Sequence, residues 1–117
     1  FDTSNVREMM SMFNNCTSLT EVPLFNLSNV DRIWYMFQGC SALTYIPAFN
    51  IPHVYDMTSA FEDCINVQYG ALAIYQQAAA KDPQPTHLYT FTNCGSNTTT
   101  GAAELEQIPL AWKRPRQ

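Results

Sequence analysis

The side chains that could perform acid–base or nucleophilic chemistry are few and scattered along this chain. Hydrolysis by a nucleophile needs a base and an orienting group within reach of each other. His53 follows Pro52 at a variable position and is interpreted as a surface loop residue, while His87 has no acidic residue near it in sequence. Four acidic residues fall at surface positions and are interpreted as solvated charges: Asp31, Asp56, Glu62 and Asp63. No carboxylate pair of the glycosidase type is specified, so we expect no enzymatic activity.

The four cysteines do not form a metal-binding or redox motif. They stand at positions 16, 40, 64 and 94, with no Cys-x-x-Cys spacing, and the chain has no Asp-rich calcium loop. We therefore expect no metal and no cofactor. Equivalent cysteines of stacked repeats would lie close enough to bridge, so two alternatives stay open: buried free thiols, or some disulfide.

A repeat of 24 residues organises the chain from Phe1 to Cys64 and must position every other side chain. Residues of one type recur at equivalent positions: Phe1, Phe25 and Phe49; Val6, Val30 and Val54; Phe13, Phe37 and Phe61; Cys16, Cys40 and Cys64. A period of this length is typical of stacked units that bury a shared core. We therefore expect equivalent apolar residues to form ladders directed into the core.

Two shorter patterns occur inside each unit. From Val6 to Cys16 the apolar residues are three or four apart, which predicts a helical or short 3₁₀-like stretch with one buried stripe. From Leu19 the alternation of Val22 and Leu24 predicts a short strand. Each unit is thus expected to contain one strand and one or two helical turns.

The second and third units carry a family resemblance. Between Cys40 and Cys64 the chain has Cys-x-x-Leu-x-x-Ile-Pro, followed by Val-x-x-Met-x-x-Ala-Phe-x-x-Cys. This resembles the BspA-like (Treponema-type) leucine-rich repeats over residues 1–69. The resemblance implies an α/β solenoid, a leucine-rich-repeat-like right-handed coil with short parallel strands, short helical turns and a C-terminal capping helix. It also implies adhesion or ligand binding, on cell surfaces or in phage-associated proteins.

Three parts of the chain are distinguished. Residues 1–69 are interpreted as three repeats, the first partial, residues 70–112 as a diverged last repeat and cap, and residues 113–117 as a tail. Ala and Gln favour a helix over 70–81, ended by Pro83 and Pro85. The repeat pattern returns at 91–94 and 105–110, around a loop over 95–103. Ile74, Tyr75 and Trp112 are expected to shield the last apolar layer. The basic tail residues are interpreted as a solubilising terminus or linker remnant.

The residues that vary between repeats are where a ligand is expected. Exposed positions of the predicted strands combine aromatic, amide and carboxyl groups, which suit glycans and protein hot spots. Trp34 belongs to a second variable column and marks a possible interface. The candidate binding residues are Glu21, Trp34, Tyr45, Gln68, Tyr69 and Gln107. The alternative is that these side chains merely solvate an exposed sheet.

The charge and the hydropathy of the chain argue against two kinds of partner, a nucleic acid and a membrane. A formal charge of −4 argues against nucleic acid, and no stretch reaches the roughly 20 apolar residues of a membrane span.

We expect a non-catalytic recognition or adhesion module for a host or cell-surface protein or glycan. The alternative is a structural spacer or assembly module of a cell-surface or phage tail protein. The expected location is extracellular, at the cell surface or on a virion, although the sequence shows no targeting signal. An uncapped first repeat predicts end-to-end self-association.

Overall fold

Backbone hydrogen bonds join each repeat to the next at equivalent positions. The computed structural model describes residues 5–116. The N–H groups of Met9 and Ile33 donate to the carbonyls of Arg32 and Asp56, one repeat further on, at 3.1 and 2.9 Å. The same bond recurs at every second residue through this segment, from Ser11, Phe13 and Asn15 and their equivalents. The stacking that the 24-residue period predicts is therefore present in the backbone.

The predicted α/β solenoid with short parallel strands is wrong. The helices of residues 5–116 are α1 (Ala71–Ala79), α2 (Thr99–Glu106) and a 3₁₀ helix (Leu110–Trp112). The described part of the chain forms no strand or sheet, and its parallel contacts are isolated bridges such as Tyr45 with Tyr69. The radius of gyration is 12.7 Å, close to the roughly 13 Å of a compact domain of this size.

Consecutive tight turns, not helices, produce the apolar spacing inside each repeat. The N–H groups of Met36, Cys40 and Leu43 donate to carbonyls three residues earlier, at 3.1, 3.1 and 3.2 Å. Tyr35 has φ 58° and Gly39 has φ 79°, and a left-handed residue ends a right-handed helix. Positive φ recurs at the equivalent positions: Ser11, Ser59 and Tyr89, and Asn15, Asp63 and Asn93. The predicted helical stretch of the repeat is thus wrong, because turn bonds give the same three-residue period.

Phenylalanine ladders form the centre of the core, as the repeat predicts. Phe13 stacks on Phe37, Phe37 on Phe61 and Phe61 on Phe91, with ring centroids 5.3, 5.6 and 5.7 Å apart. A second ladder runs beside the first, formed by Phe25 and Phe49 at 6.2 Å. Phe1, the predicted first member of that second ladder, lies outside the described residues. Burial of each ring contributes about 1.5–3 kcal/mol.

Of the two alternatives for the cysteines, the structure has the free thiols. All four cysteines are unbridged, and only Cys16 is not fully buried. The thiols of Cys40 and Cys64 each donate a hydrogen bond of 3.1 Å, to the carbonyls of Phe13 and Phe37. Burial raises the pKa of Cys40 to about 11, and also raises the pKa values of Cys64 and Cys94. These thiols act as small apolar groups with one donor each.

Helix α1 confirms the helix predicted over 70–81 and covers the third repeat. It begins after Gly70, which has a φ of 112° that glycine adopts readily and other residues do not. A Cβ on this residue would lie 2.2 Å from the Ile46 carbonyl oxygen, so only glycine fits here. Gln77 donates to the Phe49 carbonyl at 2.8 Å and accepts from the Ile51 N–H at 2.7 Å. The helix thus satisfies backbone groups at the edge of the repeat below it.

The second half of the diverged last repeat (repeat four, residues 70–112) differs from the prediction. Helix α2 occupies part of the predicted loop, and the expected strand over 105–110 is replaced by the end of α2 and the 3₁₀ helix. Thr98 caps α2 by accepting from the Gly101 N–H at 2.9 Å. Gly101 packs so closely on repeat three that a Cβ there would lie 2.0 Å from the Val67 carbonyl. Helix α2 therefore forms because it is capped and can approach that backbone.

Trp112 closes the aromatic ladder. Its carbonyl accepts from the Phe91 N–H at 2.8 Å, as the next repeat would. Its ring stacks on His87 at 3.9 Å and meets Tyr75 edge to face at 5.2 Å. Trp112 and Ile74 are buried, which confirms that they shield the last apolar layer.

The last described residues pack across repeats three and four. Thr92 Oγ1 donates to the Arg114 carbonyl at 2.6 Å. Arg116 forms an ion pair with Glu62, which is 1% exposed. Two predictions are therefore wrong: Glu62 is not a solvated charge, and the basic tail is not merely a solubilising terminus. None of the helices within residues 5–116 is long and apolar enough to cross a membrane.

Candidate functional site

A tyrosine pair lies where the predicted binding strip was expected. Tyr45 and Tyr69 stand one repeat apart and form a parallel bridge, so their side chains emerge side by side. Their rings stack with centroids 5.7 Å apart and an interplanar angle of 21°. Tyr69 is 56% exposed and Tyr45 is half-buried. The pair presents a continuous aromatic surface that a ligand can reach.

Polar residues accompany this pair on the same segment of the repeats. The Thr44 N–H donates to the Thr20 carbonyl, and the Gln68 N–H to the Thr44 carbonyl, at 3.1 and 2.7 Å. Glu21 therefore occupies the column of Tyr45 one repeat earlier, and Gln68 precedes Tyr69. Both are exposed. We call Glu21, Tyr45, Gln68 and Tyr69 the tyrosine strip.

The other two predicted residues lie outside the tyrosine strip. Gln107 is the C-cap of α2 and its side chain donates to the Ala103 carbonyl at 3.3 Å, so it does not extend a strand. Trp34 lies in the turn segment of repeat two, where its carbonyl accepts from the Ser11 N–H at 3.0 Å. It is 39% exposed, and Leu88 of the same column is 46% exposed. Trp34 thus lies on the turn segment, outside the tyrosine strip.

A groove that the sequence analysis missed crosses the first three repeats. Its volume is about 520 Å³, within the range of small-ligand sites. Two adjacent columns line it: Asn5, Asn29 and His53, and Arg7, Asp31 and Tyr55. The column of Arg7, Asp31 and Tyr55 differs in every repeat and the other column changes at His53, which was the available signal. His53, interpreted as a loop residue, and Asp31, interpreted as a solvated charge, both line this groove.

The charges around this groove are partly paired. Arg7 Nη2 lies 3.6 Å from Asp31 Oδ2, and Arg32 Nη1 lies 3.5 Å from Glu8 Oε1. Arg32 Nε also donates to the Tyr55 hydroxyl, and this hydrogen bond raises the pKa of Arg32. Asp31 Oδ1 is buried and has no hydrogen-bond partner among the described residues. One carboxylate oxygen in the groove wall therefore lacks a donor.

The two histidines have different surroundings. His53 lines the groove. His87 stacks on Trp112, and its Nδ1 lies 2.8 Å from the Pro85 carbonyl, so its ring packs against the end of the stack. Within residues 5–116, no three His, Cys, Asp or Glu side chains are grouped to hold a metal ion.

Comparison with known proteins gives a family and no function. The family model described as "Mycoplasma protein of unknown function, DUF285" matches residues 1–73, more than half of the chain. No curated protein and no solved structure matches the chain.

Proposed function

The chain belongs to the DUF285 family, and from its surface we propose that it is a non-catalytic recognition module for a cell-surface protein or glycan. The observation that carries the proposal is the exposed, stacked pair of Tyr45 and Tyr69, whose ring centroids are 5.7 Å apart. Exposed tyrosines offer contact area at a small cost in side-chain entropy and are enriched at interfaces. The two rings stack on the surface, where packing of the core does not require them. We infer that a ligand contacts them.

The contrast between core and surface supports this proposal. The phenylalanine ladders repeat the same residue in every layer, whereas the column of Glu21, Tyr45 and Tyr69 changes from a carboxylate to an aromatic ring after the first layer. Uniform interior positions build the stack, and the exterior column is not held to one residue type. The resemblance of the repeats to BspA-like proteins favours adhesion and an extracellular or cell-surface location.

Arrays of cell-surface glycans and extracellular proteins, probed with the purified chain, test the proposal. We expect binding that weakens by about tenfold or more in the Tyr45→Ala, Tyr69→Ala double variant. Leu110→Ala is the control, because Leu110 is 56% exposed and lies in the 3₁₀ helix. Binding that is equal in the double variant and the control would exclude the tyrosine strip. An absence of binding to either array would favour a structural spacer.

A further inference from the structure

The groove lined by Asn5, Arg7, Asn29, Asp31, His53 and Tyr55 lies on a different segment of the repeats from the tyrosine strip. We propose that it binds one neutral sugar unit of a glycan. This inference rests on the proposed recognition function and deepens it by adding a second site and a ligand class. Three features of the groove support this ligand: an unsatisfied acceptor, a fixed aromatic ring and balanced charge.

The unsatisfied acceptor is Asp31 Oδ1. It is buried and accepts no hydrogen bond from the described residues, while Oδ2 of the same carboxylate lies 3.6 Å from Arg7. A buried carboxylate oxygen without a donor is costly. The Asp31 side chain as a whole is 22% exposed, so a rotation of its carboxylate brings this oxygen to a donor on a ligand in the groove. A sugar hydroxyl donates one hydrogen bond and accepts others. It can therefore donate to Asp31 while it accepts from the neighbouring Arg7 guanidinium.

The fixed aromatic ring is Tyr55. It is 50% exposed, and its hydroxyl is held by Arg32 Nε. Arg32 also lies over the ring, 5.5 Å from the centroid, which restricts its orientation further. A ring held in place offers a flat apolar surface to the C–H groups of a pyranose at little entropic cost.

The charge and composition of the groove disfavour other ligands. The wall holds one formal cation, Arg7, and one formal anion, Asp31, so it has no excess charge to bind a phosphate or a carboxylate. Its lining contains no aliphatic side chain, whereas protein hot spots are well-packed pockets around apolar or aromatic anchors. The volume of about 520 Å³ is within the range of small-ligand sites and leaves room for one sugar unit.

A glycan array that contains neutral and acidic oligosaccharides tests this inference, followed by titration of the best neutral oligosaccharide in solution. We expect neutral glycans to bind, and Asp31→Ala and Tyr55→Ala each to weaken binding by about tenfold or more. Glu106→Gln is the charge control, because Glu106 is exposed on α2, outside the groove. If Asp31→Ala does not fold, Asp31→Asn replaces it.

Several results would overturn the inference and separate it from the proposed function. Binding of acidic glycans alone, lost in Arg7→Ala but not in Asp31→Ala, would make the groove an anion site. Glycan binding lost only in the Tyr45→Ala, Tyr69→Ala variant would keep the proposed function and exclude the groove. Binding confined to the protein array would keep recognition and exclude the sugar. An absence of all binding would overturn both.

Discussion

Arg116 holds the carboxylate of Glu62 with two nitrogens, although the two residues are 54 positions apart. Its Nε donates to Oε2 at 2.5 Å and its Nη2 donates to Oε1 at 2.8 Å. The same Nη2 lies 3.1 Å from Ser59 Oγ, and the guanidinium lies 4.2 Å from the centre of the Tyr89 ring. The hydrogen bond to Glu62 raises the pKa of Arg116 above its ordinary value. The C-terminal residues are thereby fixed to repeats three and four.

Replacement of Arg116 by Ala should lower the free energy of unfolding by about 2–3 kcal/mol, because it leaves Glu62 buried without its partner. This range is below the full cost of a buried unpaired charge, since the Arg116 side chain is 48% exposed. Arg114→Ala is the matched control and should cost no more than about 0.5 kcal/mol, because only its backbone carbonyl is used. Urea denaturation measures both. Equal values for the two variants would contradict the assigned role.

Replacement of Glu104 by Ala should destabilise the junction between the two helices. Glu104 Oε1 accepts from the N–H groups of Gly70 and Leu72 at the start of α1, both at 3.1 Å. Loss of such a cap costs about 1–2 kcal/mol. Glu106→Ala makes the same change on an exposed position of α2, and it is expected to have a smaller effect. Chemical denaturation is measured for both variants, and the difference between their midpoints reports the contribution of the Glu104 cap to stability. A difference near zero would refute this role of Glu104.

Replacement of Phe61 by Ala should be the most destabilising of these changes. Phe61 is 1% exposed and its ring stacks on both Phe37 and Phe91. Removal of a buried aromatic ring costs about 3–5 kcal/mol, in lost burial and in the cavity left behind. Leu24→Ala is the control, because Leu24 is 66% exposed. Thermal unfolding should show a large fall in Tm for Phe61→Ala alone.

The stability of the protein should fall as the pH rises from about 9 to 11. Burial raises the pKa values of Cys40, Cys64 and Cys94 in the folded state, while unfolded thiols ionise near 9.0. Above that pH the folded state retains more protons than the unfolded state, so stability is lost. Each buried thiol contributes a slope of about 1 kcal/mol per pH unit.

Cys64→Ala tests this pH dependence, because removal of one buried thiol should make the slope less steep. The free energy of unfolding is measured by urea denaturation at several pH values in that interval, for the variant and the wild type. The slope, not the absolute stability, is the quantity compared, since the variant also loses packing. Identical slopes would show that Cys64 does not titrate differently in the two states.

The sequence predicts the stack because its signal is long-range and repeated. Phe13 and Phe37 are 24 residues apart, and their rings stack. The local conformation was mispredicted because turn bonds three residues apart, such as Met36 to Ile33, place apolar residues on one side as a helix does. Nothing in the side chain of Tyr35 signals its positive φ.

The candidate sites also divide into one that the repeat period predicts and arrangements that it does not. The side-by-side placement of Tyr45 and Tyr69 follows from register alone and was predicted. The groove depends on two neighbouring columns read together, and the pairing of Glu62 with Arg116 joins positions unrelated by the period. Neither arrangement is visible in a single column of the repeat.

The hydrogen bonds of the turn segment give that part of the stack a polarity. In the turn segment the bonds run one way, with N–H groups of one repeat donating to carbonyls of the next, as from Phe13 to Met36 and from Phe37 to Ala60. Peptide dipoles so aligned add along the stack, as they do along a helix. The carbonyls of Met10 and Met12 therefore face away from the later repeats. Any unit that extends the turn-segment ladder at that end must present N–H groups to these carbonyls.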